Sequence, residues 1–304
     1  MIAPLKKRNS GTLGHTDNNI YTALFCIGLI SILTSGATVS AEPATTNLLP
    51  PAPQGSKWEL VPELTDEFKG NELDSTKWQP FLPYWKGRAP SQFAPTNVRV
   101  RQGNLELQST SIVDSIESVK NPLTDIWVHA SCVSSLQPIA GYGYFEARVK
   151  ASRLSMTSSF WLQGKYSEVD IAEQMGSQER RPDGELYMFM CTHYFAESWK
   201  NDKFTPKKWK MPAAAADVFH VYGAWWKDKN TVWFYHDGEK VAEVKTGGEF
   251  LEPMYLIFDT EVFTADIGIP TVESLKNSNQ NTMLVNWVHV WRLVSTGELG
   301  KVGP

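Results

Sequence analysis

At 304 residues the chain is 42% hydrophobic and 20% charged, an ordinary globular composition with material for a sizeable core. Its formal charge of -4 excludes a nucleic-acid binder that works through a basic surface, so no nucleic-acid partner is expected. Twelve Trp, ten Tyr and fourteen Phe suit a large β core as well as stacking on sugar rings, and the count alone separates neither.

In chain order, Lys6, Lys7 and Arg8 give a basic start. The apolar run from Tyr21 to Leu33 is shorter than the roughly 20 residues a membrane span needs. Val39-Ser40-Ala41 places small residues before a cut, so residues 1–41 read as a signal peptide and the mature chain begins near Glu42. The product is then secreted or periplasmic, with no membrane association once the leader is gone. Residues 42–57, with Pro43, Pro50, Pro51 and Pro53, read as an extended linker. Export permits a disulfide between Cys132 and Cys191, and two buried free thiols are an equal reading. No CxxC or HExxH spacing points to zinc or redox chemistry.

From Trp58 onward strand follows strand. Val98–Leu107 is broken by a turn at Gln102-Gly103-Asn104. Gly143–Val149 alternates Phe145, Ala147 and Val149 against Tyr144, Glu146 and Arg148. Thr157–Gln163, Glu168–Gln174 and Leu186–Tyr194 come next. Pro212–Asp217 reads as one short helical turn. Val218–Lys227 and Thr231–Tyr235 lead to a hairpin turn at Asp237-Gly238, and Lys240–Val244 returns from it. Met254–Val262 and Met283–Leu293 close the series. Many short strands without helical periodicity predict an all-β sandwich of two antiparallel sheets. One β domain over 58–295 and a tail over 296–304 account for the rest, with no internal repeat.

The stretch with the most chemistry is Ser167-Glu168-Val169-Asp170-Ile171-Ala172-Glu173-Gln174. On a strand, Glu168 and Asp170 share a face, whereas Glu173 lies at an odd offset from both. A one-residue β-bulge between Asp170 and Glu173 would bring all three to one side. An acidic solvated face is the plain alternative, but Phe160, Trp161, Leu162, Val169 and Ile171 around it read as core. Neighbouring carboxylates drive their pKa values apart, so one holds a proton while the other stays ionised. That is what glycoside hydrolysis with retention requires, its two carboxyl groups standing about 5–5.5 Å apart.

SEVDIAEQMG resembles the active-site strand of glycoside hydrolase family 16 in its bulged form. The likeness extends to Thr65–Gly70 with Leu73, Asp74, Lys77 and Trp78, to Gly141–Arg148, and to Asn286–Trp291, and so covers Trp58 to Leu293 in order. It implies a β-jelly roll with a concave substrate cleft, Glu168 as nucleophile, Glu173 as acid/base and Asp170 as the assisting carboxylate. Laminarin- and lichenan-cleaving members usually carry Trp-Pro before the catalytic strand, where this chain reads Met156-Thr157-Ser158-Ser159-Phe160-Trp161. Trp85-Lys86-Gly87-Arg88-Ala89-Pro90 and Phe258-Asp259-Thr260-Glu261-Val262-Phe263 are more similar to red-algal galactanases: β-agarases, β-porphyranases and carrageenases.

The implied activity is endo-acting, retaining hydrolysis of an agarose- or porphyran-type galactan, the polysaccharide being the partner of a monomer. Carrageenan or furcellaran hydrolysis, a laminarinase, a transglycosylase and a non-catalytic glycan-binding jelly roll are the alternatives. Trp85 and Trp161 are candidates to stack on sugars, Arg88 to bond hydroxyls or sulfate, His193 to donate to a hydroxyl, and Glu261 to bind substrate. Trp199, Lys165, Arg180 and Arg181 are further loop candidates. The family's convex-face calcium position holds Asn286 in place of aspartate; the lost charge weakens such a site, and no cofactor or metal is assigned.

Overall fold

The computed structural model describes residues 49–176, 183–196 and 198–297. The leader, the linker up to residue 48, Arg180, Arg181 and the end of the tail lie outside the described residues.

Two sheets of eight strands each face one another, all paired antiparallel. The first runs in the order Glu239–Lys245, Thr231–His236, His220–Asp228, Gly143–Lys150, Thr282–Ser295, Asn104–Gln108 and Val98–Arg101, with Ser56–Leu60 also on Thr282–Ser295. The second is centred on Tyr187–Tyr194, Ser167–Met175, Thr157–Gln163 and Tyr255–Asp259, flanked by shorter strands. This is the sandwich of two antiparallel sheets expected from the strand pattern, in the jelly-roll form that the family resemblance implied. The period of two sorts the side chains. Phe145, Ala147 and Val149 enter the main core from the first sheet; Phe160, Leu162, Val169, Met188, Met190, Leu256 and Phe258 enter it from the second. Tyr144 turns the other way and packs with Trp58, Trp225, Tyr235 and Trp291 in a separate cluster.

Two expectations change. Residues 212–217 form bends and a turn, closed by Asp217 N–H donating to Ala214 O, and no helix. The one α-helix among the described residues is Val272–Lys276, whose start Thr271 and Ser274 cap reciprocally. Its five residues give too short a periodic pattern to read. Met254–Val262 is strand only over Tyr255–Asp259; at the next register pair Thr260 N–H still donates to Ser131 O, but Ser131 N–H donates to the Thr260 hydroxyl. Both Cys132 and Cys191 are buried free thiols. Asn286 is the extra residue of a register shift between Val285 and Trp287, and its amide oxygen accepts from Arg148 at 2.9 Å. That oxygen is therefore engaged by a cation of the protein itself.

Candidate active site

The second sheet carries a cleft of about 600 Å³ on the face away from the core. Strand pairing explains which side chains reach it. Ser159 pairs with Glu173, Phe160 with Ala172, Trp161 with Asp170, and Gln163 with Glu168, so Ile171 has no opposite number. This is the β-bulge that the odd spacing required. Ile171 and Ala172 both enter the core, and Glu168, Asp170 and Glu173 all line the cleft beside Ser159, Trp161 and Gln163.

Tyr187–Tyr194 pairs on the other side, setting His193 opposite Glu168. Its Nε2 reaches diagonally to Asp170 Oδ2 at 3.2 Å, and its Nδ1 meets Asp202 Oδ2 at 2.6 Å. Burial alone would favour neutral imidazole, but the bonds to Asp170, Cys191 and Asp202 outweigh it and push the pKa up to about 12. A fixed imidazolium thus faces the carboxylates. With both nitrogens engaged, the donation to a sugar hydroxyl expected of His193 has no free N–H behind it. Gln163 Nε2 donates to Glu168.

Burial also governs the two outer carboxyls. Glu173 is pushed up to about 8 by desolvation and then by the charges of Asp170 and Glu261, against the pull of His193 and Arg88. It therefore carries a proton at neutral pH. Glu168 is raised by burial and Asp170, opposed by His193 and by the Gln163 amide. Such a group set can hold one carboxyl as a proton donor and lose a proton from its neighbour as conditions change.

One flank of the cleft rests on a loop that needs glycine. Gly87 has φ +107°, and a Cβ there would meet Phe93 N at 3.2 Å. Phe93 N–H donates to Lys86 O and Ser91 N–H to Arg88 O, both at 2.8 Å, fixing the loop. From it Arg88 Nε donates to Glu261 Oε2 at 2.8 Å, with the guanidinium 4.3 Å from the Phe263 ring centre. Glu261 takes only Nε, and among the described residues no hydrogen-bond partner claims the terminal amino groups, which leaves them to a ligand. Trp85 stands edge-on to Trp161, ring centres 6.4 Å apart. Trp161 is largely core, 6% exposed, yet its buried indole N–H has no partner. On the other flank Trp199 is 57% exposed and lies flat against Phe195.

All of Trp85, Arg88, Trp161, His193 and Glu261 line the cleft with the three carboxylates, and so does Trp199. Lys165 lines an adjoining pocket that shares Tyr84, Gln163 and Trp199 with the cleft, its Nζ 4.8 Å from the Tyr166 ring. Sequence reasoning missed Tyr84, Gln163, Asp202, Phe263 and Asp259. Alternation with Ser159 and Trp161 could have flagged Gln163. Asp259 pairs across the sheet with Ser159, is wholly buried, and has its pKa raised by desolvation and then by the charges of Glu261 and Glu173.

Residues 58–293 match the family model described as Beta-porphyranase A-D, GH16 domain. A beta-porphyranase B of Phocaeicola plebeius is 33% identical over 286 residues, covering 82% of this chain and 89% of the relative. A beta-porphyranase E of Zobellia galactanivorans is 33% identical over 80% of this chain and 90% of its own length. Among solved structures, a beta-porphyranase from the human gut bacterium Bacteroides plebeius superposes with a TM-score of 0.71 at 31% identity, covering 82% of this chain and 96% of that one. The chain belongs to glycoside hydrolase family 16, within its β-porphyranase A–D group, and is an endo-acting, retaining glycoside hydrolase related to the red-algal galactanases.

Proposed function

We propose that the chain is a β-porphyranase-type enzyme that cleaves internal β-linkages of a sulfated red-algal galactan by double displacement. The observation that carries the substrate class is the match of 236 consecutive positions, 58–293, to the porphyranase group. Arg88 supports it, since a guanidinium with unclaimed amino groups in an acidic cleft suits a sulfate oxygen. Agarose is the second reading, because beta-agarases of Microbulbifer thermotolerans and Phocaeicola plebeius are 31% and 30% identical to this chain.

In the proposed cycle the sugar lies along the cleft, with Trp85 and Trp199 offering aromatic faces to its C–H surfaces. Glu173 gives its proton to the glycosidic oxygen as Glu168 attacks the anomeric carbon, forming a glycosyl-enzyme. Glu173, now ionised, takes a proton from water, which releases the sugar with its original configuration. Asp170, tied to the His193 imidazolium, steadies Glu168 as its charge is lost and regained. We further propose that the leader over 1–41 is cleaved on export. N-terminal sequencing of the exported chain should begin near Glu42, and a start within 1–41 would sink this reading.

The substrate test is a panel of porphyran, agarose, κ-carrageenan, furcellaran and laminarin, with new reducing ends counted and products sized. Porphyran should give a ladder of oligosaccharides. Activity on agarose without porphyran would shift the assignment to the agarases, and laminarin alone would overturn the galactan reading.

The proton on Glu173 sets a pH expectation. As general acid it must be protonated, so kcat/KM should hold up to about pH 8 and then fall about tenfold per pH unit. Glu261→Gln removes a charge that raises this pKa and frees Arg88 to lower it, so the alkaline limb should move to lower pH. A limb that stays in place would remove Glu173 as its source.

A further inference from the structure

A second cluster of donors lies on the other sheet, at its edge hairpin. His220 opens the strand His220–Asp228, His236 closes Thr231–His236, and Asp237 begins the two-residue turn that follows. Asp237 and Gly238 have φ of +47° and +82°, the left-handed pair of this hairpin turn. That backbone swings the Asp237 side chain back over the strand ends. Its Oδ1 accepts from Val221 N–H at 2.7 Å, leaving Oδ2 to face the two imidazoles.

Three atoms then converge. His220 Nδ1 lies 3.1 Å from His236 Nε2 and 3.4 Å from Asp237 Oδ2, and His236 Nε2 lies 3.5 Å from the same oxygen. A tetrahedral zinc ion with bonds of about 2.0–2.1 Å has donor–donor edges of about 3.3–3.4 Å. The triangle therefore matches one face of that tetrahedron. The two rings are 2% and 5% exposed, which fixes their positions, whereas Asp237 is 46% exposed and opens a way in from solvent. We propose that His220 Nδ1, His236 Nε2 and Asp237 Oδ2 bind a zinc ion, with water in the fourth position.

The protonation of the donors fits. Burial pushes His236 below its usual pKa, towards the neutral ligand form. Burial acts to raise Asp237, but the bonds from His220 and the Val221 amide prevail and keep it low. Binding shifts the proton between the paired imidazole nitrogens to Nε2 of the His220 ring, so each imidazole keeps one N–H, and no redox change is involved. Two imidazoles with one carboxylate favour a first-row transition ion over calcium or magnesium, which prefer all-oxygen sites. Such an ion would tie two strands and their turn together at the sheet edge, on the sheet that does not carry the cleft.

Titration of the untagged full chain with zinc chloride, followed calorimetrically, tests this. One ion per chain should bind, and at a hundredfold excess over Kd the melting temperature should rise by about 5 °C, reversed by chelation. His220→Gln and His236→Gln should each weaken binding at least about tenfold while galactan hydrolysis is unchanged. Asp237→Asn, which keeps both the turn and an acceptor for Val221, should weaken it too and decides the matter if a histidine variant fails to fold. Asp170, Cys191 and His193 also converge in the cleft, so Cys191→Ser must leave the binding intact. Absence of saturable binding would mean a hydrogen-bonded histidine pair only. That result overturns the proposal, as would binding that survives both histidine variants or is lost in Cys191→Ser.

Discussion

Glu168→Ala should lower kcat on the galactan by about 10⁴- to 10⁶-fold while the protein stays folded, as expected for loss of a nucleophile. Glu173→Ala should cost about 10²- to 10⁴-fold, the usual worth of a general acid/base. Size alone does not distinguish the two roles, but stereochemistry does. On a substrate with an activated leaving group, azide can enter the space left at residue 168 and attack the sugar directly, giving the inverted glycosyl azide. In the Glu173 variant the glycosyl-enzyme still forms on Glu168, and azide then attacks it from the opposite side, giving the retained product. Exchange of these outcomes between the variants would reverse the assignment. Near-parental turnover by either folded variant would remove that residue from the mechanism.

Phe160→Ala should destabilise the fold by about 3–5 kcal/mol, the cost of emptying a large aromatic site in a packed core. Phe160 is 1% exposed and stacks on its cross-strand neighbour Phe258, ring centres 4.8 Å apart and 14° from parallel. It lies between Ser159 and Trp161, both of which face the cleft, so the same strand holds the core with one face and the site with the other. At about 2–4 °C per kcal/mol for a domain of this size, the melting temperature should drop by roughly 6–20 °C. Scanning calorimetry would measure it. A drop under about 2 °C would mean that the two sheets do not depend on this aromatic pair. Galactan hydrolysis well below the transition should persist, since Phe160 does not line the cleft.

Much of the molecule could be read from the chain because strand geometry is local. Side chains two apart share a face, so the inward set Phe145, Ala147, Val149 and the outward Tyr144 follow from spacing alone. The same rule demands an extra residue between Asp170 and Glu173, and Ile171 is that residue. The Asp237-Gly238 turn is equally local, because its left-handed backbone suits those two residue types. The family resemblance brought Trp85, Arg88, Trp161, His193 and Glu261 into view, and each lines the cleft.

What the chain could not disclose depends on which segments become neighbours. Arg88 and Glu261 are 173 residues apart and meet only because the loop before Ser91 packs over the end of the strand Tyr255–Asp259. Asp202 reaches His193 because the short strand Lys203–Phe204 pairs back onto Tyr187–Tyr194, and this turns a candidate sugar donor into a clamped imidazolium. Asp259 reads as an ordinary strand residue until burial, with the charges of Glu261 and Glu173, raises its pKa. The sequence by itself determined the alternation, the bulge and the carboxylate trio, since backbone geometry over a few residues is enough for these. Only the tertiary structure decided the charge states and the partners, because both are set by desolvation and by contacts across strands far apart in the chain.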